Sequence, residues 1–504
     1  MASTDSRRRQ HEHEEHGSRS ASMIEELEAV LKGGAIPPFV YCYPPRSSYR
    51  ALNPDWTLER IWEEDLNVSL SRDLNLYIHV PFCRYKCGFC NLYTVTTTAA
   101  DLYDAYVDAL CQELHRHGSI LQKRRLRTVY IGGGTPSLLS LRHFEKLLQT
   151  LDEICGNWRP GIEEVCIEAT PDSIVSTPET VARLIQLGLT RVNMGVQSLE
   201  TAELREAGRM QAGREMIYKA VETVKSFGLV NLSTDLIMGF AGQTDESWLR
   251  SVEALVALAP ETISTYFLTV RPDAWFSKTG KYKYQRSPHL YDRYQVARER
   301  ILAAGYVQET NVRYKKMGRG GYRQKVLQFR GVPVLGVGAG ARTYTNTVDY
   351  IFGGSDQPDP SQVWDYIREV NAGGASIRSG FVYDDSERIR KRLALDLFDL
   401  DLAELGPFEY EQHKDKFQPV MDASVALGLA RAVTPTRYQL TPKGYMYRDI
   451  ISWLMFSEEV LERDKLFYQR LHEGNRQAIE RIGPDVPVSG LRVADSAPRG
   501  GARV

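Results

Sequence analysis

Three cysteines, Cys83, Cys87 and Cys90, stand in the spacing C-x3-C-x2-C inside the stretch Leu76 to Tyr93, LYIHVPFCRYKCGFCNLY. Three thiolates in one short loop can bind three irons of a cubane iron–sulfur cluster, leaving the fourth iron without a protein ligand. An iron with an open position can take a substrate or cofactor, just as a catalytic zinc site keeps one position free where a structural site fills all four. Taken alone, the spacing also fits a zinc site or a loop of reduced structural cysteines.

Other groups that could meet a ligand lie at the ends of apolar runs. Tyr130-Ile131-Gly132-Gly133-Gly134-Thr135-Pro136 brings consecutive glycines, which let a backbone approach a ligand closely or simply make a turn. Glu168 ends one apolar run, Gln197 another and Asp235 a third; each residue type also serves as a helix cap. A second glycine-rich segment runs from Val334 to Thr343, VLGVGAGART, and could equally be a tight passage out of a strand.

The elements that must position these residues alternate between strands and helices. Candidate strands are Leu74–Val80, Arg127–Ile131, Glu164–Ala169, Arg191–Val196, Asn231–Met238 and Thr262–Val270. Amphipathic patterns fill the gaps at Asp101 to His117, Leu141 to Ile154, Pro178 to Leu187, Arg214 to Phe227 and Asp245 to Ala257. Six β–α units imply an α/β fold with a parallel sheet and right-handed crossovers, closed as a barrel or partial barrel. Sites in such folds sit at the C-terminal ends of the strands, and the cysteine loop follows the first strand.

Around this core, residues 1–22 are polar and of low complexity and read as a disordered tail, their histidines as solvated. Residues 23–73 hold a short helix at Met23 to Lys32 and then a proline- and tyrosine-rich extended strap. The core is assigned to 74–285, with Asp273 to Pro288 as a mobile cover over the barrel mouth or a long surface connection. Residues 286–375 extend the barrel, with a helix at Leu290 to Ala304 and a strand at Gly305 to Thr310. Residues 376–482 form a small helical domain, including a strand pair and helix over Ala430 to Tyr445, and 483–504 form a second disordered tail.

The 504 residues carry a formal net charge of −1, with 42% hydrophobic and 25% charged residues. That balance gives no bulk attraction to nucleic acid or to an anionic membrane. Seven cysteines, four of them scattered, suit a reducing compartment. With no signal peptide and no apolar run of membrane-spanning length, a soluble cytoplasmic protein is expected, acting as a monomer on a small molecule.

The cysteine spacing, Phe89 just before the last cysteine and the lead-in Tyr77-Ile78-His79-Val80-Pro81-Phe82 resemble the radical S-adenosylmethionine (SAM) superfamily. More narrowly they resemble the branch containing oxygen-independent coproporphyrinogen III dehydrogenase. The resemblance implies a partial (β/α)6 radical SAM barrel with a winged-helix-like C-terminal domain covering the substrate, a [4Fe–4S] cluster on Cys83, Cys87 and Cys90, and a flavodoxin- or ferredoxin-type electron donor. It places Gly133, Gly134 and Thr135 at the methionyl amino group of SAM. Glu168, Gln197, Arg209 and Asp235 are to hold its ribose, carboxylate and adenine edge, Tyr77 and Phe89 to lie nearby, and Gly338 and Ala339 to lie near a second SAM.

One departure bears on activity. Coproporphyrinogen dehydrogenases continue the motif with a fourth cysteine, and Leu92 stands at that position here. Sequences lacking it resemble class C radical SAM methyltransferases, including cyclopropanating members of natural-product and antibiotic pathways, or heme-trafficking relatives. The expectation favoured from sequence is the first, methyl or methylene transfer to an sp2 carbon with two SAM molecules and Tyr93, Tyr266 or His79 as proton acceptor. Porphyrinogen decarboxylation and heme trafficking are the alternatives.

Overall fold

The computed structural model describes residues 20–32, 39–209, 213–270, 274, 276, 289–352, 360–373, 377–405, 410–467 and 469. The tail at 483–504, most of the tail at 1–22 and nearly all of the cover at 273–288 lie outside these residues. At the N-terminus the described chain is already helical from residue 20.

The largest sheet has nine strands: β1 (Asp73–Val80), β2 (Arg125–Gly133), β3 (Glu164–Ala169), β4 (Arg191–Gln197), β5 (Asn231–Met238), β6 (Thr262–Phe267), β7 (Tyr306–Gln308), β8 (Arg313–Lys316) and β9 (Val334–Val337). Their order is β7-β8-β6-β5-β4-β3-β2-β1-β9. All neighbours from β9 to β6 run parallel, whereas β8 and β7 are antiparallel. The end strands do not pair with each other, so the barrel stays open.

The six strands expected from sequence are all present as a consecutive parallel run, because each is an apolar segment between two amphipathic helices. The intervening helices fall close to their expected bounds, at Ala100–Arg116, Leu141–Cys155, Pro178–Gln186, Arg214–Ser226 and Asp245–Leu258. Their starts are locally encoded: Thr244 accepts from the Ser247 amide, and Pro178 occupies the first turn, where no amide is needed.

Two differences matter. The second glycine-rich segment begins as a seventh parallel strand, β9, paired with β1 from Val334↔Asn75 to Val337↔Ile78. Four residues are too few to show a periodicity, so the sheet contact, not the pattern, defines this strand. The proline-rich segment is also not extended throughout. Leu58–Val68 is a helix, capped by Thr57 and burying Ile61, Trp62 and Asp65, while Arg50–Ala51 pairs with the strand Ile377–Val382.

The main core lies between the sheet and its helices. A second one joins Leu27, Val40, Tyr43 and Tyr49 to C-terminal residues such as Ile389, Phe417 and Ile451. Near it, Asp399–Asp401, Arg437–Leu440 and Ala430–Ala432 form a three-stranded antiparallel sheet, followed by helices Pro442–Met446 and Arg448–Leu454. Among the described residues no helix is long and apolar enough to cross a membrane.

Candidate functional site

The loop after β1 carries all three motif cysteines to the C-terminal edge of the sheet. Cys83 is buried and Cys87 and Cys90 are half-buried. The loop is tied down on several sides. Thr135 and Gly134 amides donate to Phe82 and Val80 carbonyls at 2.7 and 2.8 Å, and the Gly88 amide donates to Ala207 O at 3.1 Å. His79 Nε2 lies 2.8 Å from the Tyr93 carbonyl and its Nδ1 lies 2.9 Å from the Tyr77 hydroxyl. A carbonyl only accepts, so Nε2 carries the proton and Nδ1 accepts from Tyr77. Burial holds His79 neutral, pushing its pKa down to about 4.

The three thiols share a cavity of about 190 Å³ with Gly133, Gly134, Thr135, Glu168, Gln197, Arg209 and Asp235. Each polar residue is placed by its element. Along β4, Asn193, Gly195 and Gln197 line the cavity, while Arg191, Val192, Met194 and Val196 are buried. Gln197 has φ 70°, a rare conformation for a residue with a side chain, at a register shift against β5. Such strain persists only where the surroundings enforce it, and it accumulates at functional sites.

Both Glu168 oxygens are engaged, with the Tyr130 hydroxyl at 2.6 Å and the Gly133 amide at 2.8 Å. Asp235 accepts from Asn193 Nδ2 at 2.9 Å through one oxygen, while its buried Oδ1 makes no hydrogen bond. Burial is the leading cause that raises the pKa of both carboxyls. Arg209, 4% exposed, donates to Gly195 O at 2.7 Å and points Nη1 at Cys87 Sγ, 3.7 Å away, and its Nε is also unmet. The amides of Gly133, Gly134 and Thr135 are all donated internally. What this segment can still offer a ligand is carbonyl oxygen, which suits an ammonium donor.

This donor set fits a cluster and a zwitterionic ligand: three thiols, one unmet carboxylate oxygen, one unmet guanidinium N–H and glycine carbonyls. Burial pushes Cys83 up to about 12 and raises Cys90, and metal binding would take the thiolate form. The thiols do not close on one point, since among the described residues no three metal-ligating side chains are grouped to hold one ion. A cubane asks less, because its corners bring the ligands to different irons.

Not every residue singled out from sequence lines the cavity. Phe89 does, packed 5.8 Å from the Phe240 ring. Tyr77 stands back from it, stacked on Tyr130 at 5.9 Å. His79 and Tyr93 lie behind the loop, and the Tyr266 ring packs edge-on to Phe39 at 5.6 Å. Gly338 and Ala339 are internal, their amides donated to Glu113 Oε2 and the Tyr106 hydroxyl, each at 2.9 Å. Asn193 and Gly195, which sequence reading passed over, do line it. The alternation along β4 was the available signal.

The family model "Radical SAM superfamily" matches residues 77–255. The chain is 32% identical over 278 residues to a Synechocystis protein named "Heme chaperone HemW", spanning 53% of this chain and 65% of that protein. A Mycobacterium tuberculosis protein of the same name is 31% identical over 53% of this chain and 69% of its own length. Among solved structures, Escherichia coli coproporphyrinogen III oxidase (HemN), "a Radical SAM enzyme", superimposes with TM-score 0.69 over 83% of this chain and 96% of that one, at 22% identity.

The chain therefore belongs to the radical SAM superfamily, and its fold is that of coproporphyrinogen III oxidase. Membership implies a [4Fe–4S] cluster and SAM. The expectation of a class C methyltransferase or cyclopropanase in antibiotic biosynthesis is corrected by the same comparisons, because the curated relatives are heme chaperones by name. A methyltransferase and a heme-trafficking protein can share the cluster motif, which is why the motif misdirected the choice.

Proposed function

We propose that this chain handles heme: it keeps the cluster and SAM equipment of the branch and serves heme delivery. The observation that carries this reading is the set of relatives named heme chaperones that match about half the chain. A second support is Leu92, 50% exposed and lining the cavity where the coproporphyrinogen dehydrogenases resembled by the motif have a fourth cysteine.

In this reading Cys83, Cys87 and Cys90 hold the cluster, and Glu168, Gln197, Arg209 and Asp235 hold one SAM. The cluster, when bound, supplies an iron open to SAM and an electron for its cleavage. The chain's own groups do the rest. Neutral His79 anchors the end of the cysteine loop, Arg209 sets a positive charge beside the Cys87 sulfur, and Asp235 and Glu168 can accept from hydroxyl donors. Heme is the small-molecule partner, the cytoplasm the setting, a flavodoxin- or ferredoxin-type protein the electron donor, and the working unit a monomer.

The test is an anaerobic titration of cluster-reconstituted protein with hemin, followed by its visible spectrum, beside an incubation with SAM deuterated in its methyl group. A saturable spectral shift at one hemin per chain, with no deuterium in 5′-deoxyadenosine, is expected. Absence of stoichiometric hemin binding by intact protein would sink the proposal.

A further inference from the structure

Beneath the N-terminal segment lies a second group of polar side chains that the cluster cavity does not use. The Lys325 ammonium sits 5.6 Å from the Tyr41 ring centroid, and the Arg342 guanidinium sits 5.9 Å from the same ring. Arg342 Nη1 donates to the Tyr41 hydroxyl at 3.0 Å and lies 3.9 Å from Cys42 Sγ. Lys325 Nζ donates to Gln328 Oε1 at 2.8 Å and reaches the Tyr41 carbonyl at 3.4 Å.

Every one of these acceptors is formally neutral, and that is unusual in this molecule. Most cations buried deeper than these have a carboxylate, Arg209 beside the Cys87 thiol being an exception: Arg124 pairs with Asp65 at 2.5 Å, Arg313 with Glu309 at 3.3 Å, Lys391 with Asp349 at 2.9 Å and Arg448 with Asp449 at 2.9 Å. Among the described residues Lys325 and Arg342 have none. A charge withdrawn from water needs a counter-charge or stays costly. Burial pushes Lys325 down to about 8, with Cys42 acting the other way and Arg313, Arg342 and Arg448 adding to the fall.

A third donor points to what is missing. Gln328 is 5% exposed, and its Nε2 makes no hydrogen bond. Because Lys325 can only donate, it must face the amide oxygen, which fixes the orientation of the Gln328 amide and leaves the NH2 unmet. Tyr41, Lys325 and Arg342 are half-buried, so a ligand can reach them from solvent. Arg342 also acts electrostatically on Tyr77 and His79, which places this group at the β1 side of the barrel, next to the residues behind the cluster loop.

We propose that Lys325, Arg342 and Gln328 Nε2 form a receptor for a carboxylate of the ligand. Resting on the heme reading, that carboxylate is a heme propionate. An Arg side chain can grip a carboxylate through two N–H groups while Lys adds a point charge, so the pair would orient a tetrapyrrole by its acidic edge.

Hemin and hemin dimethyl ester, titrated into the wild-type holoprotein and into Lys325→Met/Arg342→Gln, separate the possibilities. The double variant is expected to bind hemin about 10- to 100-fold more weakly, the loss expected for charge-assisted hydrogen bonds. The ester should bind both proteins alike, and Lys325→Arg should keep most of the affinity. Melting temperature should hold or rise in the double variant, because it removes charges that have no partner.

Equal hemin affinity in the variant and the wild type would overturn the receptor, as would an equal loss for the ester. A melting temperature that falls in the double variant would mean that the two charges already have a partner in the folded chain, and would overturn it too. If the wild type takes up no hemin, the heme reading fails by itself. Coproporphyrin III then decides the receptor: weaker binding to the double variant sustains it, and no binding or equal binding removes it.

Discussion

The two glycine-rich segments, 132–135 at the end of β2 and 336–341 from β9 onward, look alike in sequence and are used differently. In the first, a Cβ on Gly134 would stand 2.5 Å from the Phe82 carbonyl oxygen, and one on Gly133 2.6 Å from the His79 ring. These glycines let the strand end close against the cysteine loop at the cavity wall. In the second, a Cβ on Gly338 would meet the His79 carbonyl oxygen at 2.6 Å, and one on Gly340 the Tyr93 ring at 2.7 Å. Here glycine serves packing behind the loop. Runs of glycine report that something comes close to the backbone, and only the fold says whether it is a ligand or the protein itself.

The contrast can be broken from the cavity side first. Cys87→Ser should remove the cluster, dropping iron from about four per reconstituted chain to below about one, by iron and sulfide analysis. Gly134→Ala should push the cysteine loop from its seat, weakening SAM binding about tenfold or more by calorimetry, the cost of one misplaced charge-assisted contact.

Gly338→Ala sharpens the comparison from the other side. At φ +107° and with a backbone atom in the way, it should destabilise the chain by about 3 kcal/mol in denaturant titration. Folded protein below its melting range should still bind SAM within about threefold of wild type. A tenfold loss there would return the second segment to the ligand site.

The smallest effect concerns His79, which both segments touch. Its folded pKa near 4 lies below the ordinary value of about 6.5, so the unfolded chain takes up the proton first as pH falls. The contribution of neutral His79 is therefore intact above pH 6.5 and is lost progressively toward pH 4. Between pH 7 and pH 5 the loss is about 2 kcal/mol in cluster-free protein. That slope should be shallower in His79→Gln, and an unchanged slope would mean that other groups carry it.

Much of the barrel was legible because its strands are contiguous apolar runs bounded by amphipathic helices, a pattern that needs no partner to be seen. The bounds of Glu164–Ala169 and Asn231–Met238 follow from it directly. β9 and the helix Leu58–Val68 were not read, the first being short and the second following a proline-rich run that invited an extended reading. Cysteine spacing together with its flanking residues pointed to the cluster chemistry, yet it did not distinguish methyl transfer from heme handling, because both use the same loop.

What the sequence determined by itself was local: three thiols in one loop, six alternating β–α units, and polar residues at the strand ends. Tertiary structure decided what those residues face. It turned Gly338 and Ala339 inward onto Glu113 and Tyr106, and held His79 neutral between Tyr77 and Tyr93. It also left Lys325 and Arg342 around one tyrosine ring without a carboxylate among the described residues. Desolvation and pairing depend on neighbours distant in the chain, and only the folded packing brings them together.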